Sequence, residues 1–229
     1  MPFAAADYLD LSETEHAGLF LPEEPVWAAL ARIAEHLAEL LDRVGPTTQG
    51  ASVDPRAFVG EGVRLGLGVV VEANAVIKGP AWIGPGTIVR SGAYVRENVL
   101  VGEGCVLGNS CEFKNCLLFN CCEVPHFNYV GDSILGYRAH LGAGVVCSNV
   151  RLDRATVKVR EGEGFLDTGL RKFGAVVGDR AEIGCNSVLS PGAVLGRECL
   201  VYPLTSWSGV LPARHLARQR AETLVVARR

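Results

Sequence analysis

From Val53 to Phe113 every sixth residue is apolar: Val53, Val59, Leu65, Val71, Ile77, Ile83, Val89, Val95, Val101, Leu107 and Phe113. Four residues after each, a small residue or a valine recurs, as at Ala57, Ala75, Ala81, Thr87, Ala93, Cys105 and Cys111. A period of six fits neither a helix nor an isolated strand. It fits a chain that makes a short strand, turns a corner and repeats. Such self-similarity sets the architecture ahead of any residue propensity. Glycines follow several of the apolar positions (Gly60, Gly66, Gly84, Gly102, Gly108), where a tight corner calls on backbone angles open to glycine. The pattern predicts a mainly β fold, a parallel β-helix whose coils bury their faces against one another and whose ends need caps.

The departures from the repeat divide the chain. Residues 1–48 form an N-terminal segment. Pro25 can open a helix there. Val26, Trp27, Leu30, Ile33, Leu37, Leu40 and Leu41 follow helical spacing, and Gly45 and Pro46 end it. This helix is predicted to cap the first coil or pack on a neighbour. Residues 49–212 carry the β-helix. Its phase breaks through Asn115–Tyr129 and resumes with Leu135, Leu141 and Cys147. Residues 150–176 lack the repeat and read as an excursion loop, with a hairpin through Thr156–Arg160. The phase returns at Val177, Ile183, Leu189, Leu195, Val201 and Trp207. Pro212 then opens residues 213–229, predicted as a short, basic helical tail (Arg214, His215, Arg218, Arg220, Arg228, Arg229) with a solvated or subunit-facing role.

The 229 residues suffice for one extended domain with appendages. A hydrophobic content of 48%, few aromatics and 27 glycines suit a narrow core of small and β-branched side chains. A net charge of −3 gives no bulk attraction to nucleic acid. No apolar run is long enough to span a bilayer, and MPFAAADYLD lacks the marks of a signal peptide. The eight cysteines contain no CxxC pair. Cys105, Cys111 and Cys199 occupy the small-residue slot and Cys147 the apolar slot, as reduced core thiols of a cytoplasmic protein would.

The hexad series resembles the left-handed parallel β-helix of the hexapeptide-repeat acyltransferase superfamily. The segment VPHFNYVGDSILGYRAHLGAG (Val124–Gly144) is similar to the acetyltransferase domain of bifunctional glucosamine-1-phosphate acetyltransferase/N-acetylglucosamine-1-phosphate uridylyltransferases. The stretch SNVRLDRATVKVREGEGFLDTGLRKFGAVVGD resembles the archaeal-type sugar-1-phosphate nucleotidylyltransferases that carry such a domain. The resemblance covers residues 50–212. It implies a single-stranded left-handed β-helix, a homotrimer and acetyl-CoA as co-substrate with no metal for acetyl transfer. It places the chain in nucleotide-sugar biosynthesis leading to UDP-GlcNAc. A Gly-rich nucleotide loop of the GxGxRL type is not found near the N-terminus. The expected activity is therefore acetyl transfer without nucleotidyl transfer, with a separate nucleotidyltransferase as a possible partner.

Acetyl transfer to an amine needs a base, donors for the developing oxyanion and groups that align acceptor and thioester. His126 lies at the position of the family's catalytic histidine, and imidazole titrates near neutral pH. Tyr129 matches a tyrosine that contacts the sugar, and Asn149 an asparagine that orients the acceptor or the thioester carbonyl. Arg90 and Lys114 match basic residues for the acceptor phosphate, a role that suits the planar fork of arginine. Glu112, in the CEFKN stretch with Lys114, is assigned to sugar hydroxyls, and Lys158 to phosphate. Ala143 and Cys185 fall where the family backbone meets the pantetheine arm, and the Cys185 thiol could form a mixed disulfide with coenzyme A. His140, read as an acceptor contact, stands where bacterial members carry asparagine. Gly174 stands where bacterial members have a lysine, although the archaeal-type pattern RKxG matches this sequence, and LVYPLTSWSGVLP lacks the usual GAG.

Two other functions share these features. A noncatalytic β-helix could assemble with or regulate a separate nucleotidyltransferase. A γ-type carbonic anhydrase has the same fold but needs three histidine ligands, whereas His126 and His140 alone lie in the β-helix, without that spacing. The sequence leaves open glucosamine against galactosamine, N- against O-acetylation, and acyl length.

Overall fold

A computed structural model describes residues 2–219. Each hexad is one side of a triangular coil. Val53 pairs with Val71, Val59 with Ile77 and Leu65 with Ile83, so three hexads complete a turn and all neighbours run parallel. The turns stack into three sheets of nine, eight and eight strands. The first sheet begins at Ser52–Val53, the second at Phe58–Val59 and the third at Val63–Leu65. Below, the first corner joins the first sheet to the second, the second corner joins the second to the third, and the third closes the coil.

Alternation along each short strand sends the hexad residue inward, and the small residue at the next corner fills the remaining space. Ile77, Ile83, Val89, Val95, Val101, Leu107 and Phe113 are all fully buried in this interior. Six cysteines (Cys105, Cys111, Cys116, Cys122, Cys147 and Cys199) are buried free thiols there, as the sequence suggests for four of them. Residues such as Asn74, Asn98 and Asn186 turn the corners with φ near +60°, a conformation that asparagine tolerates.

The phase break is milder than the sequence suggests. The coil continues through it, and the second corner simply loses one residue in each of two successive turns. Phe113 is followed by Leu118 and Val130 by Leu135 at the next inward positions, and Leu118 and Leu135 still pair in the third sheet. The excursion then leaves from this same corner in the turn above. Its hairpin is present, formed by Lys158–Glu161 and Gly164–Asp167. The chain rejoins the third sheet at Ala175–Val177.

The N-terminal helix spans Ala29–Val44, preceded by a 3-10 turn at Val26–Ala28. It does not cap the first coil. Leu30, Ile33 and Leu37 pack with Trp27 on the outer side of the third sheet, against Leu100, Leu117, Ile134, Phe173, Val176 and Val194. Above Arg64 on the first rung, the outward residues of this sheet are apolar, so those strands carry apolar side chains on both faces and need a cover. Sixteen helical residues extend about 24 Å, the height of about five rungs. The helix thus runs along the coil axis and delivers the chain to the first rung, where Thr47 pairs with Arg64.

The predicted C-terminal helix is overturned for the part described. Leu216–Ala217 is a strand of the first sheet, paired with Leu200–Val201. The hexad slots therefore run past Pro212, with Ala217 inside. Arg220, Arg228 and Arg229 lie outside the described residues. No helix among the described residues is long and apolar enough to cross a membrane.

Candidate functional site

The two shortened corners create a recess on the second sheet. Lys114 stands at the lower one and Asp132 at the upper, where Lys114 Nζ lies 3.1 Å from Asp132 Oδ1. Asn115 Nδ2 donates to the same oxygen at 2.9 Å. Asn149 enters from the turn above and donates through Nδ2 to Asp132 Oδ2 at 2.5 Å and to the Tyr129 hydroxyl at 3.1 Å. The Asp132 side chain is 5% exposed and that of Lys114 16% exposed. Such a pair is held by geometry, because removing either partner leaves a charge with little water around it. Burial pushes the Tyr129 hydroxyl above the ordinary tyrosine range, against the opposing effect of Asn149. The phenol therefore stays protonated and can donate.

Gly131 makes this arrangement possible. A Cβ there would run into the Tyr129 hydroxyl and come within 2.8 Å of Asn149 Nδ2. Below Tyr129, Glu112 faces outward in direct register and accepts from Arg96 Nη1 at 2.9 Å. The recess thus gathers Glu112, Lys114, Tyr129 and Asn149 from the sequence-based set. It adds Arg96, Asn115 and Asp132, which the sequence reading missed.

Arg90 does not join them. It lies at the first corner, with its N–H on the Leu107 carbonyl, on the opposite edge of the second sheet. Arg96 occupies the second corner directly below Lys114. Spacing carries the signal for Arg96, which precedes Lys114 by one full coil, as Lys78 precedes Arg96 by another.

His126 ends the first-sheet strand Glu123–His126 and sits exposed at the first corner, three residues before Tyr129. Its corner is fixed from inside by Asn128, which is 3% exposed. Asn128 Oδ1 accepts from the His126 N–H at 3.1 Å, and Asn128 Nδ2 donates to the Gly142 carbonyl at 2.7 Å. Directly below the strand, Gly108 leaves room for the Pro125 carbonyl, a space any Cβ would fill.

Ala143 and Cys185 stack above His126 at the same corner. Gly144 N–H donates to the His126 carbonyl and Asn186 N–H to the Ala143 carbonyl. Cys185 is exposed and lines an apolar groove of about 280 Å³ with Gly142, Gly184, Val201, Tyr202 and Pro203. His140 lines this groove too, and not the recess. It faces outward from the first sheet between Glu123 and Glu182, with Nδ1 2.6 Å from Glu182 Oε2. The acceptor role read for His140 is therefore not supported by its position, because strand alternation turns it away from the second sheet. Lys158 lies on the excursion hairpin, in direct register with Asp167.

Chemically, the second sheet joins an exposed imidazole on one edge to cations, a phenol and an amide on the other. Among the described residues there is no group of three or more His, Cys, Asp or Glu side chains placed to hold a metal ion.

Residues 77–163 match the family model described as the GMPPB C-terminal domain. The chain is 34% identical over 92 residues to a bifunctional sugar-1-phosphate nucleotidylyltransferase/acetyltransferase of Sulfurisphaera tokodaii, a match covering 40% of this chain and 23% of that protein. It is 34% identical over 96 residues to the bifunctional protein GlmU of Methanococcus vannielii, covering 39% of this chain and 23% of that one. The matched part therefore spans less than a quarter of these relatives. Among solved structures, the acetyltransferase domain of PglB from Neisseria gonorrhoeae in complex with acetyl coenzyme A aligns with a TM-score of 0.32 and 16% identity, over 81% of this chain and 62% of that one.

Proposed function

We propose that this protein is an acetyl-CoA-dependent N-acetyltransferase acting on an amino-sugar-1-phosphate, glucosamine-1-phosphate or galactosamine-1-phosphate. The observation that carries the reading is the placement of exposed His126 across one sheet from the Lys114–Asp132–Asn149–Tyr129 recess. The acetyltransferase half of the Sulfurisphaera tokodaii relative's name supports it.

Arg96 and Lys114 hold the acceptor phosphate, the first through its planar fork and the second as a point charge. Asp132 and Asn149 set the position of Lys114 and Tyr129, and Glu112 meets sugar hydroxyls. His126 takes the proton as the acceptor amine attacks the thioester carbonyl. The tetrahedral intermediate collapses with coenzyme A thiolate as the leaving group, and the imidazolium returns the proton to it. Acetyl-CoA supplies the activated acyl group. The apolar groove beside Ala143 and Cys185 fits an extended, weakly polar arm of this kind. In this reading the protein is cytoplasmic, forms a homotrimer with His126 in an inter-subunit cleft, and makes an acetylated sugar phosphate on the route toward UDP-GlcNAc.

The test is mass-spectrometric detection of acetylated product from acetyl-CoA and either sugar phosphate. Product that disappears in His126→Ala is the expected outcome. A folded protein that neither binds acetyl-CoA nor forms product would overturn the reading and leave the noncatalytic assembly role.

A further inference from the structure

The excursion hairpin has two unlike faces. Val159 and Leu166 are cross-strand partners and turn toward the apolar cluster around Trp27. Strand alternation sends Lys158, Arg160 and Phe165 the other way, and Arg160 pairs directly with Phe165. These three line a cavity of about 660 Å³ between the hairpin and the upper second corner. The opposite wall carries Ser148, Ser190 and Ser208, one from each of three successive turns. Their spacing spreads the hydroxyls over about 10 Å.

The charges in this cavity are not balanced. Asp153 is taken by Arg151, with Nη2 to Oδ2 at 2.5 Å. Asp167, opposite Lys158, accepts from the Gly169 N–H and the Thr156 hydroxyl; these bonds, with a smaller contribution from the Lys158 charge, hold its carboxyl below the ordinary range. Lys158 and Arg160 form no ion pair among the described residues. Phe165 is 68% exposed beside them. Two cations outside any salt bridge, a ladder of hydroxyls and an exposed aromatic ring are the elements that bind phosphates and a base together.

We propose that this cavity binds a nucleoside diphosphate or an equivalent bisphosphate nucleotide. Its phosphates lie between Lys158, Arg160 and the serine ladder, and its base lies on Phe165. The site is separate from the Lys114 recess: Ser148 stands two rungs above Lys114, about 10 Å along the axis, so one phosphate cannot serve both. The nucleotide comes either from a sugar nucleotide or from the head group of coenzyme A.

Calorimetric titration of the full chain with UDP, adenosine 3′,5′-bisphosphate and pyrophosphate tests this without reference to acetyl transfer. Failure here leaves the His126 chemistry standing, and failure of acetyl transfer leaves nucleotide binding measurable. Saturable nucleotide binding is expected, weakened at least about tenfold in K158Q/R160Q. F165A should weaken nucleotide about tenfold and leave pyrophosphate unchanged. Preference for UDP identifies a sugar nucleotide, and preference for the adenosine bisphosphate identifies coenzyme A; either supports the site. In the unaltered protein, bound nucleotide should slow hydrogen exchange across residues 150–167, a readout that does not depend on any variant folding. The proposal is overturned by no nucleotide binding, by equal affinity for pyrophosphate and nucleotides, by binding indifferent to K158Q/R160Q, or by protection confined to other segments.

Discussion

Arg96 stands one rung below Lys114 at the same corner of the coil: the Arg96 N–H donates to the Phe113 carbonyl at 2.9 Å, and Val95 pairs with Phe113. Their side chains hold different carboxylates: Arg96 pairs with Glu97 and Glu112, and Lys114 with Asp132. The arrangement aligns two cations along the coil axis, with Lys78 continuing the column one rung lower.

In the proposed reaction this column meets the acceptor phosphate, and Arg90 at the far corner does not. Arg96→Gln should raise the acceptor KM about 10- to 100-fold, the value of one or two charge-assisted hydrogen bonds. Arg90→Gln should change it less than about threefold. Steady-state kinetics on both variants check the assignment, and the reverse ranking would return the phosphate to the first corner.

The hexads disclosed the coiled, parallel β architecture because each rung repeats the same inward choice, whereas its three sides follow from the pairing of Val53 with Val71. The second corner was harder to read. Losing one residue after Phe113 and another after Val130 shifts the phase without breaking the coil, so a linear pattern shows disruption where the structure shows continuity. Arg96 was missed for a related reason, since a match by local motif ignores which residues share a corner. Asp132 and Asn115 lie inside the VPHFNYVGD and CEFKN stretches, but their value appears only when two turns stack. The helix at Ala29–Val44 was legible, but its place along the third sheet was not. That position follows from outward Leu100, Leu117 and Ile134, which share slots that a one-faced strand would give to polar residues.

Acid should loosen the N-terminal segment. His16 is fully buried, with Nδ1 3.2 Å from His36 Nε2, and its ring packs edge-on against Trp82. Glu15 accepts from Trp82 Nε1 and approaches His16 Nε2 at 3.8 Å. Burial, aided by His36, lowers the His16 pKa from 6.5 to about 3. The folded state therefore holds the neutral ring. That contribution is complete above the unfolded value and fades as pH falls from about 6.5 toward about 3. At pH 5 the loss is about 2 kcal/mol relative to pH 7.5. Urea midpoints of the parent and His16→Gln at both pH values measure it. The variant should lose much less on acidification, and equal losses would place the acid sensitivity elsewhere.

Thiol chemistry should separate one cysteine from most of the others. Cys185 is exposed and Cys121 half-buried, while the remaining six are buried. Burial pushes the Cys147 thiol up to about 12 and raises Cys116 and Cys122 further from reactivity. Thiolate is the reacting form. Iodoacetamide on the native protein should add one label at Cys185, a slower second at Cys121, and reach all eight only after unfolding. Intact mass after exposure to coenzyme A disulfide should show a reducible adduct at Cys185. Native labelling at Cys105 or Cys147 would contradict the packed interior.

Asp132 should matter to stability as well as to chemistry. It accepts from Lys114, Asn115 and Asn149 in a recess where it is nearly inaccessible to water. Asp132→Ala strands a half-buried ammonium and two amides, at a cost of about 3 kcal/mol. Lys114→Met with Asp132→Asn removes both charges, keeps an amide oxygen as acceptor and should recover most of that loss while remaining inactive. Denaturation midpoints of the single and double variants test the coupling, and additive losses would show that the pair is not a unit.

Gly131 offers the sharpest separation of positioning from folding. Its backbone does not require glycine, but a Cβ meets the Tyr129 hydroxyl and Asn149 Nδ2. Gly131→Ala should therefore part these two groups, at a cost of about 1–3 kcal/mol of stability. The larger consequence is kinetic. Displacing the phenol and amide misaligns the acceptor while leaving His126 in place, so kcat/KM should fall about 10- to 100-fold, as small displacements of aligning groups do. Gly18→Ala is the matched control, because its Cβ meets nothing within 4 Å, and its effect should stay within about 0.5 kcal/mol. If Gly131→Ala loses stability but keeps its kcat/KM, the Tyr129–Asn149 contact is structural and the acceptor is aligned from the Arg96–Lys114 column alone.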